Sequence, residues 1–263
     1  MRSPVVAACA MLTAATLSAQ PATAQTTLPY DHVHLNVPDP AAAAKWYEQH
    51  FLAKRLDEGP DRLTFGNTRF LFARRADAAP SAGSSIDHVG FSVSDLDAKL
   101  KELEAAGAKI TTPAREAPGL FKLAFVDDPW GTRLEVVQDG ELLGLHHIHL
   151  RAPDPDAVTN WLASKFGGER AKLKGRLDAL RYMSGSNPVW VLVQKGESMP
   201  SDGRALDHIG WQMPNLAARL TELKASGVTV TVEPRPVTMA NKTTITIAFV
   251  EAPAGIKIEL VQR

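Results

Sequence analysis

The chain repeats itself, and the repeat constrains its fold more than any other feature. Residues 32–47 read HVHLNVPDPAAAAKWY and residues 147–162 read HIHLRAPDPDAVTNWL. A second matched pair lies at 87–100, DHVGFSVSDLDAKL, and 207–220, DHIGWQMPNLAARL. Each segment carries a histidine at the head of a short alternating run, His32, His88, His147 or His208, and then passes through a polar link into a helix-like stretch. Self-similarity of this kind means one supersecondary unit used several times, and a unit with one apolar face must bury it against another copy. Odd and even segments differ, so the units are expected to pair rather than to stack as a uniform solenoid.

Turn chemistry sets the boundaries. Pro38-Asp39-Pro40 and Pro153-Asp154-Pro155 put Asp at a helix N-cap and Pro at the first helical position. Ser94 and Asn215 are the expected caps of the other two helices, and Gly107, Gly227 and the pair Gly167-Gly168 lie where left-handed C-caps are needed. Runs rich in Val, Ile, Leu and Phe follow each helix, broken by turns such as Asp127-Asp128-Pro129-Trp130-Gly131. The expected class is α+β: four βαβββ modules at 30–78, 84–140, 145–198 and 204–263, paired into two domains over 25–140 and 145–263.

Residues 1–24 are expected to be an export signal. Arg2 gives a positive start, Val5 to Leu17 is mostly apolar, and Ala22-Thr23-Ala24 offers a small-x-small cleavage site. The apolar run is too short for a permanent membrane span. A periplasmic or secreted location follows, and removal of the leader takes the single cysteine, Cys9, with it. The mature chain then has neither disulfide nor thiolate chemistry, so its stability and reactivity must come from other groups. Lys+Arg and Asp+Glu balance at 29 each, which leaves no basic face for nucleic acid. No second long apolar run is present, so the mature chain is expected to have no membrane partner.

Strand side chains alternate in direction, so His32, His34 and Asn36 share a face. By the same rule His88, Gly90 and Ser92 share one, and so do Arg133, Glu135 and Val137; the second half repeats the arrangement with His147, His149 and Arg151, with His208, Gly210 and Gln212, and with Lys257 and Glu259. A lone strand histidine is usually structural, and a glutamate on a last strand is usually solvated. Matched positions in two copies at similar spacing outweigh that reading. If the faces converge within each half, His32, His88 and Glu135 form one triad and His147, His208 and Glu259 a second, each leaving coordination positions open.

These motifs resemble the vicinal oxygen chelate superfamily, which contains glyoxalases, bleomycin-resistance proteins and extradiol dioxygenases. The family's H-x-x-x-x-V spacing appears as His32/Val37 and His88/Val93, with Ala152 and Met213 at the closing position in the second half. Its D-P-x-G turn before the carboxylate appears as Asp128-Pro129-Trp130-Gly131 ahead of Glu135, whereas Ala252 replaces the Asp ahead of Glu259. The resemblance implies an open barrel around a divalent metal (Fe2+, Mn2+ or Zn2+) held by His32, His88, Glu135, His147, His208 and Glu259. It also implies a small oxygenated substrate, and it is compatible with a homodimer.

Departures from the family narrow the activity. Glyoxalase I adds a glutamate ligand, but the matching runs Phe70–Ala73 and Val189–Leu192 contain no carboxylate. Ring-cleaving dioxygenases add a histidine and a tyrosine, and the matching positions hold Ala73 and Val193, and Phe125 and Phe249. What remains is chelation of two neighbouring oxygens with isomerase- or lyase-type chemistry. His34 or His149 is expected to move the proton, and Glu135 and Glu259 to act beside them in catalysis. Arg133, Arg151 and Lys257 are candidates to hold an anionic group. A non-haem iron dioxygenase and a non-catalytic small-molecule binder are the alternatives. The first triad is expected to be the more active, because its half keeps the full Asp-Pro-x-Gly turn.

Overall fold

A strand, a helix and three further strands follow one another four times in the computed structural model, which describes residues 27–184 and 187–263. The expected export signal lies outside the described residues. The first module holds β1 (Tyr30–Val37), α1 (Pro40–His50), β2 (Lys54–Arg55), β3 (Arg62–Phe65) and β4 (Thr68–Arg74). The second holds β5 (Ile86–Ser92), α2 (Leu96–Ala105), β6 (Lys109–Glu116), β7 (Lys122–Asp127) and β8 (Arg133–Gln138). The third holds β9 (Gly144–Ala152), α3 (Pro155–Phe166), β10 (Glu169–Leu173), β11 (Leu177–Ser184) and β12 (Asn187–Lys195). The fourth holds β13 (Leu206–Gln212), α4 (Leu216–Ala225), β14 (Thr229–Thr238), β15 (Thr244–Ala252) and β16 (Ile256–Gln262). No helix among the described residues is long and apolar enough to cross a membrane.

The helices start where short polar side chains satisfy the first free N–H groups. Asp39, Asp154 and Asn215 cap α1, α3 and α4 as expected. The cap of α2 is Asp95 rather than Ser94: Asp95 accepts from the Ala98 N–H, which starts the helix at Leu96 and so buries Leu96, Leu100 and Leu103. Gly107, Gly167 and Gly227 have φ of 90°, 72° and 79°, which a side chain would strain.

The modules form two eight-stranded sheets. One runs β14-β15-β16-β13-β1-β4-β3-β2 and the other β10-β11-β12-β9-β5-β8-β7-β6. Each sheet therefore joins an odd module to an even module from the other half of the chain, through the antiparallel pairs β1–β13 and β5–β9. Chain connection supplies the reason. Only residues 139–143 separate β8 from β9, so β9 starts beside the second module and pairs with the free edge of β5. The longer links 75–85 and 196–205 run side by side, with bridges Ala79–Arg204 and Ser84–Met199, and carry the chain from one sheet to the other.

Alternation assigns the two faces of each strand. Val33, Leu35, Phe70, Phe72, Ile258 and Leu260 lie in the main core beneath the helices. The intervening residues His32, His34, Arg69, Leu71 and Glu259 point to the opposite, concave face. The two sheets are also tied by packing of the first helix against the second module. In α1, Trp46 Nε1 donates to Ala106 O at 3.0 Å, and Tyr47 Oη donates to Asp128 Oδ2 at 2.8 Å.

Asp128 organises the turn that leads into Glu135. Its Oδ1 accepts from the Trp130 and Thr132 N–H groups at 2.9 and 2.7 Å. Burial pushes its carboxyl up to about 6 in spite of these hydrogen bonds. In the other half of the chain Leu162 of α3 and Ala252 of β15, both buried, stand where Tyr47 and Asp128 do, so apolar side chains replace the polar pair. Because the folded value is raised, the contribution of this group to stability is full below pH 3.8 and is lost as pH rises through about 6. Asp128→Asn keeps one acceptor oxygen and removes the titration. Urea unfolding of both proteins from pH 4 to 7 should show the natural chain losing about 2–3 kcal/mol relative to the variant across that window. A constant difference would mean that Asp128 does not titrate there.

Candidate metal centres

The strand pairs that join the modules also assemble the donors. In β1–β13, His34 stands opposite His208 and His32 opposite Gly210; Gly210 pairs on its other side with Glu259 of β16. The donor atoms of His32, His34, His208 and Glu259 all lie within 4.8 Å of one another. The second sheet repeats this arrangement. His149 stands opposite His88, His147 opposite Gly90, and Gly90 pairs with Glu135, so His88, Glu135, His147 and His149 form the second group.

All six expected ligands therefore converge, but in a different grouping from the expected one. His88 and Glu135 join His147 rather than His32, and His208 and Glu259 join His32 rather than His147. The cause is the cross-half pairing of modules. Each site also gains a fourth donor, His34 or His149, which was expected to carry protons. These two are half-buried, whereas the other donors are buried. Glu135 with its intact Asp-Pro-x-Gly turn thus serves the centre that contains His147, so the expected ranking of the sites loses its basis.

Gly90 and Gly210 make the convergence possible. A Cβ on Gly210 would lie 2.1 Å from His32 Cε1, and one on Gly90 would lie 2.1 Å from His147 Cε1. Each glycine thus supplies the space that a ligand ring fills.

Each central strand pair is irregular at two places. The register skips Asp31 and Asp207 in one sheet and Asp87 and His146 in the other. A bulge re-aims the side chain of the extra residue. Here all four re-aimed side chains reach the ring nitrogen of the next histidine. Asp31 Oδ2 lies 2.8 Å from His32 Nδ1, Asp87 Oδ1 2.7 Å from His88 Nδ1, and Asp207 Oδ1 2.5 Å from His208 Nδ1. An Nδ1–H donated to a carboxylate leaves Nε2 with its lone pair directed into the site, and raises its basicity. The fourth case differs: His147 Nδ1 faces His146 Nδ1 at 2.8 Å, and His146 Nε2 is 3.4 Å from Asp139. These backing residues were missed, although an Asp-His dipeptide in three of the four modules is a visible signal.

Electrostatics follow from the contacts. Burial alone would raise Glu259, but charge on His32 and hydrogen bonds from His208 and His32 hold it well below the usual carboxylate range. Burial would likewise raise Glu135, and hydrogen bonds from His147 and His88 lower it. His32 is raised to about 9, because Glu259 and Asp31 outweigh its burial. His34 and His149 move the other way. Burial, reinforced by charge on His208 or on His88, holds each well below the usual histidine value and keeps it neutral at neutral pH.

The donor sets fit a divalent metal. Glu259 Oε2 lies 2.7 Å from His208 Nε2 and 3.3 Å from His32 Nε2; Glu135 Oε2 lies 3.0 and 3.1 Å from His88 and His147 Nε2. Ligands about 2.1 Å from one ion stand roughly 3 Å apart. Nε2 of His32 is buried without a well-formed hydrogen bond, and so is Nδ1 of both His34 and His149. Orphaned nitrogens of this kind are costly unless something completes them.

Of the expected anion-holding residues, Arg133 lies 3.5 Å from Asp87, and Lys257 Nζ donates to Asp207 at 2.8 Å. Both therefore support the aspartates behind His88 and His208. Arg151 Nε donates to Glu197 O at 2.8 Å.

The sequence matches the model of the Glyoxalase/Bleomycin resistance protein/Dioxygenase superfamily over residues 30–136 and again over 144–260. The chain belongs to that superfamily. Among solved structures, a point mutant of glyoxalase I from Zea mays is 20% identical with a TM-score of 0.68, covering 90% of this chain and 94% of that one. A candidate dioxygenase from Bacillus subtilis is also 20% identical, with a TM-score of 0.62 and coverage of 91% and 86%. At these identities the likeness establishes the fold. No curated protein matches the sequence significantly.

The His146 contact makes the surroundings of the two clusters unequal. Replacing the orienting carboxylate behind a metal-binding histidine typically changes affinity 10- to 100-fold. His146→Asp restores the arrangement present at the other three histidines and should tighten the weaker of two metal-binding phases about tenfold in calorimetry. An unchanged weak phase would show that His146 orients His147 as well as an aspartate does.

Proposed function

We propose that the protein is an exported metal-dependent enzyme that chelates two neighbouring oxygens of a small molecule and catalyses isomerase- or lyase-type chemistry. The reading rests above all on the doubled His–His–Glu cluster, in which three of the four ligand histidines are backed by aspartate. His32, His208 and Glu259 are the proposed ligands of one centre, and His88, His147 and Glu135 of the other. A divalent metal held there supplies Lewis acidity toward negative charge developing on the two oxygens. Periplasmic or secreted location belongs to the same proposal and follows from the leader-like residues 1–24.

The chain's own groups then have defined tasks. Asp31, Asp87 and Asp207 fix ring orientation and tautomer. His34 and His149 are neutral bases at the half-buried edge of each cluster, placed to accept a proton from a substrate carbon or hydroxyl and return it elsewhere. Apolar residues on the concave faces, such as Phe249 and Phe125, exclude water and strengthen those electrostatic effects.

A non-haem iron dioxygenase is the second reading, favoured by the same two-histidine, one-carboxylate set with open positions. Phe125 and Phe249, edge-on to His88 and His208 at 5.1 Å, occupy the places where ring-cleaving relatives have tyrosine and provide no hydroxyl. That favours the first reading.

His34→Asn separates proton transfer from ligation. As a base, His34 can be replaced with metal content intact and turnover down about 10²–10⁴-fold. Loss of one metal per chain in elemental analysis would instead make His34 a ligand.

A further inference from the structure

The two concave cups have the same donors but different walls. In the first sheet His34 pairs with Leu71 of β4, and Leu71 pairs with Arg62 of β3. In the second, His149 pairs with Leu192 of β12, and Leu192 pairs with Ala179 of β11. One row along, His32 pairs with Arg69 where His147 pairs with Trp190. Paired residues share a sheet face, so Arg62 and Arg69 line the first cup at the places where Ala179 and Trp190 line the second.

The buried lining of the second cup is apolar on both walls, and the cation on that face, Arg181, which pairs with Trp190, is neutralised by Glu169, to which its Nε donates at 3.0 Å. Phe121 and Leu123 on one side and Leu173, Ala179, Trp190 and Leu192 on the other form one buried cluster. In the first cup the apolar cluster, Met239, Ile245, Ile247, Phe249 and Val261, is confined to the wall of β15, β16 and the turn between β14 and β15. The opposite wall is charged. Arg69 is already committed, to Asp31 at 3.3 Å and Glu58 at 3.2 Å. Arg263 likewise binds Asp31 at 2.9 Å.

Arg62 is not committed in this way. Its Nε and Nη1 are buried and make no hydrogen bond among the described residues, and its acidic neighbour Asp61 is 3.6 Å from Nη1. Buried guanidinium donors without acceptors are costly, and a planar fork of this type matches a carboxylate. Across the sheet, Arg62 is two strand spacings from His34, roughly 10 Å. That is the backbone separation; both side chains stand on the concave face, so an arginine side chain can reach a small molecule held at the histidines.

We propose that the first cup takes a small anionic substrate, with a carboxylate beside its vicinal oxygens, and that Arg62 is its counter-ion, whereas the second cup takes an uncharged one. The proposal rests on the metal-centre reading above. Oxalate is a suitable probe, because it combines vicinal oxygens with negative charge. Acetohydroxamic acid, a vicinal chelator that binds as a singly charged hydroxamate and carries no carboxylate, is the control.

The experiment titrates each probe into the cobalt-loaded full chain and follows the visible cobalt spectrum, with metal content measured on the same samples. The natural protein should bind oxalate in a tight and a weak phase. Arg62→Ala should weaken the tight phase at least tenfold, Arg62→Lys by less, and neither should change acetohydroxamic acid binding or metal content. Oxalate binding unaffected by Arg62→Ala, at full metal content, overturns the proposal and leaves the metal centres standing. Equal weakening of both probes also overturns it, because Arg62 would then act on the cup as a whole. A natural chain that takes up no cobalt removes the metal-centre reading, and this proposal with it.

Discussion

Everything chemical in this molecule depends on two antiparallel strand pairs, β1–β13 and β5–β9. Each pair must do two things that a regular ladder does not do together. It sets two histidines on one strand against a third across the gap, with a glycine opposite the outer ring. It also breaks register at both ends of that arrangement, so that the residue before each ligand turns to meet it. The bulges weaken the local ladder, and the buried hydrogen bonds to Nδ1 offset that loss. Donor placement, ring tautomer and basicity are thus fixed by backbone pairing, before any ligand binds.

Much of this was legible in the sequence. The repeat defined four modules within a few residues of their observed limits, and strand alternation picked out all six proposed ligands. The Asp-Pro starts of α1 and α3 follow from side-chain capping and were readable for that reason. The grouping of ligands was not readable. It depends on which strand edge β9 reaches first, and the deciding fact, the short connection 139–143, carries no signature in any one residue. The fourth donors His34 and His149 were visible as same-face neighbours, but their proximity to His208 and His88 appears only when the strands from different halves are paired. The contacts of Arg133 and Lys257 with Asp87 and Asp207 were not readable for a similar reason, since it is the bulges that bring those aspartates to the cations.

Duplication has let the two centres diverge in their surroundings while their donors stay alike. Asp31 backed by Arg263 in one sheet corresponds to His146 backed by Asp139 in the other, an exchange of acid and base at matched positions. Arg62 and Arg69 correspond to Ala179 and Trp190. Both exchanges lie outside the donor sets, where substitutions change affinity and selectivity without removing a ligand. Two candidate metal centres with the same donors thus sit in two different electrostatic settings.

The central claim is that each centre draws its ligands from both halves of the chain. The direct test is metal stoichiometry in the double variant His32→Ala, Glu259→Gln, measured by elemental analysis on folded protein. If these two residues serve one centre, the variant loses one metal per chain and keeps the other. If the triads instead lay within the halves, the two changes would strike separate centres and both metals would be lost, which would contradict the account.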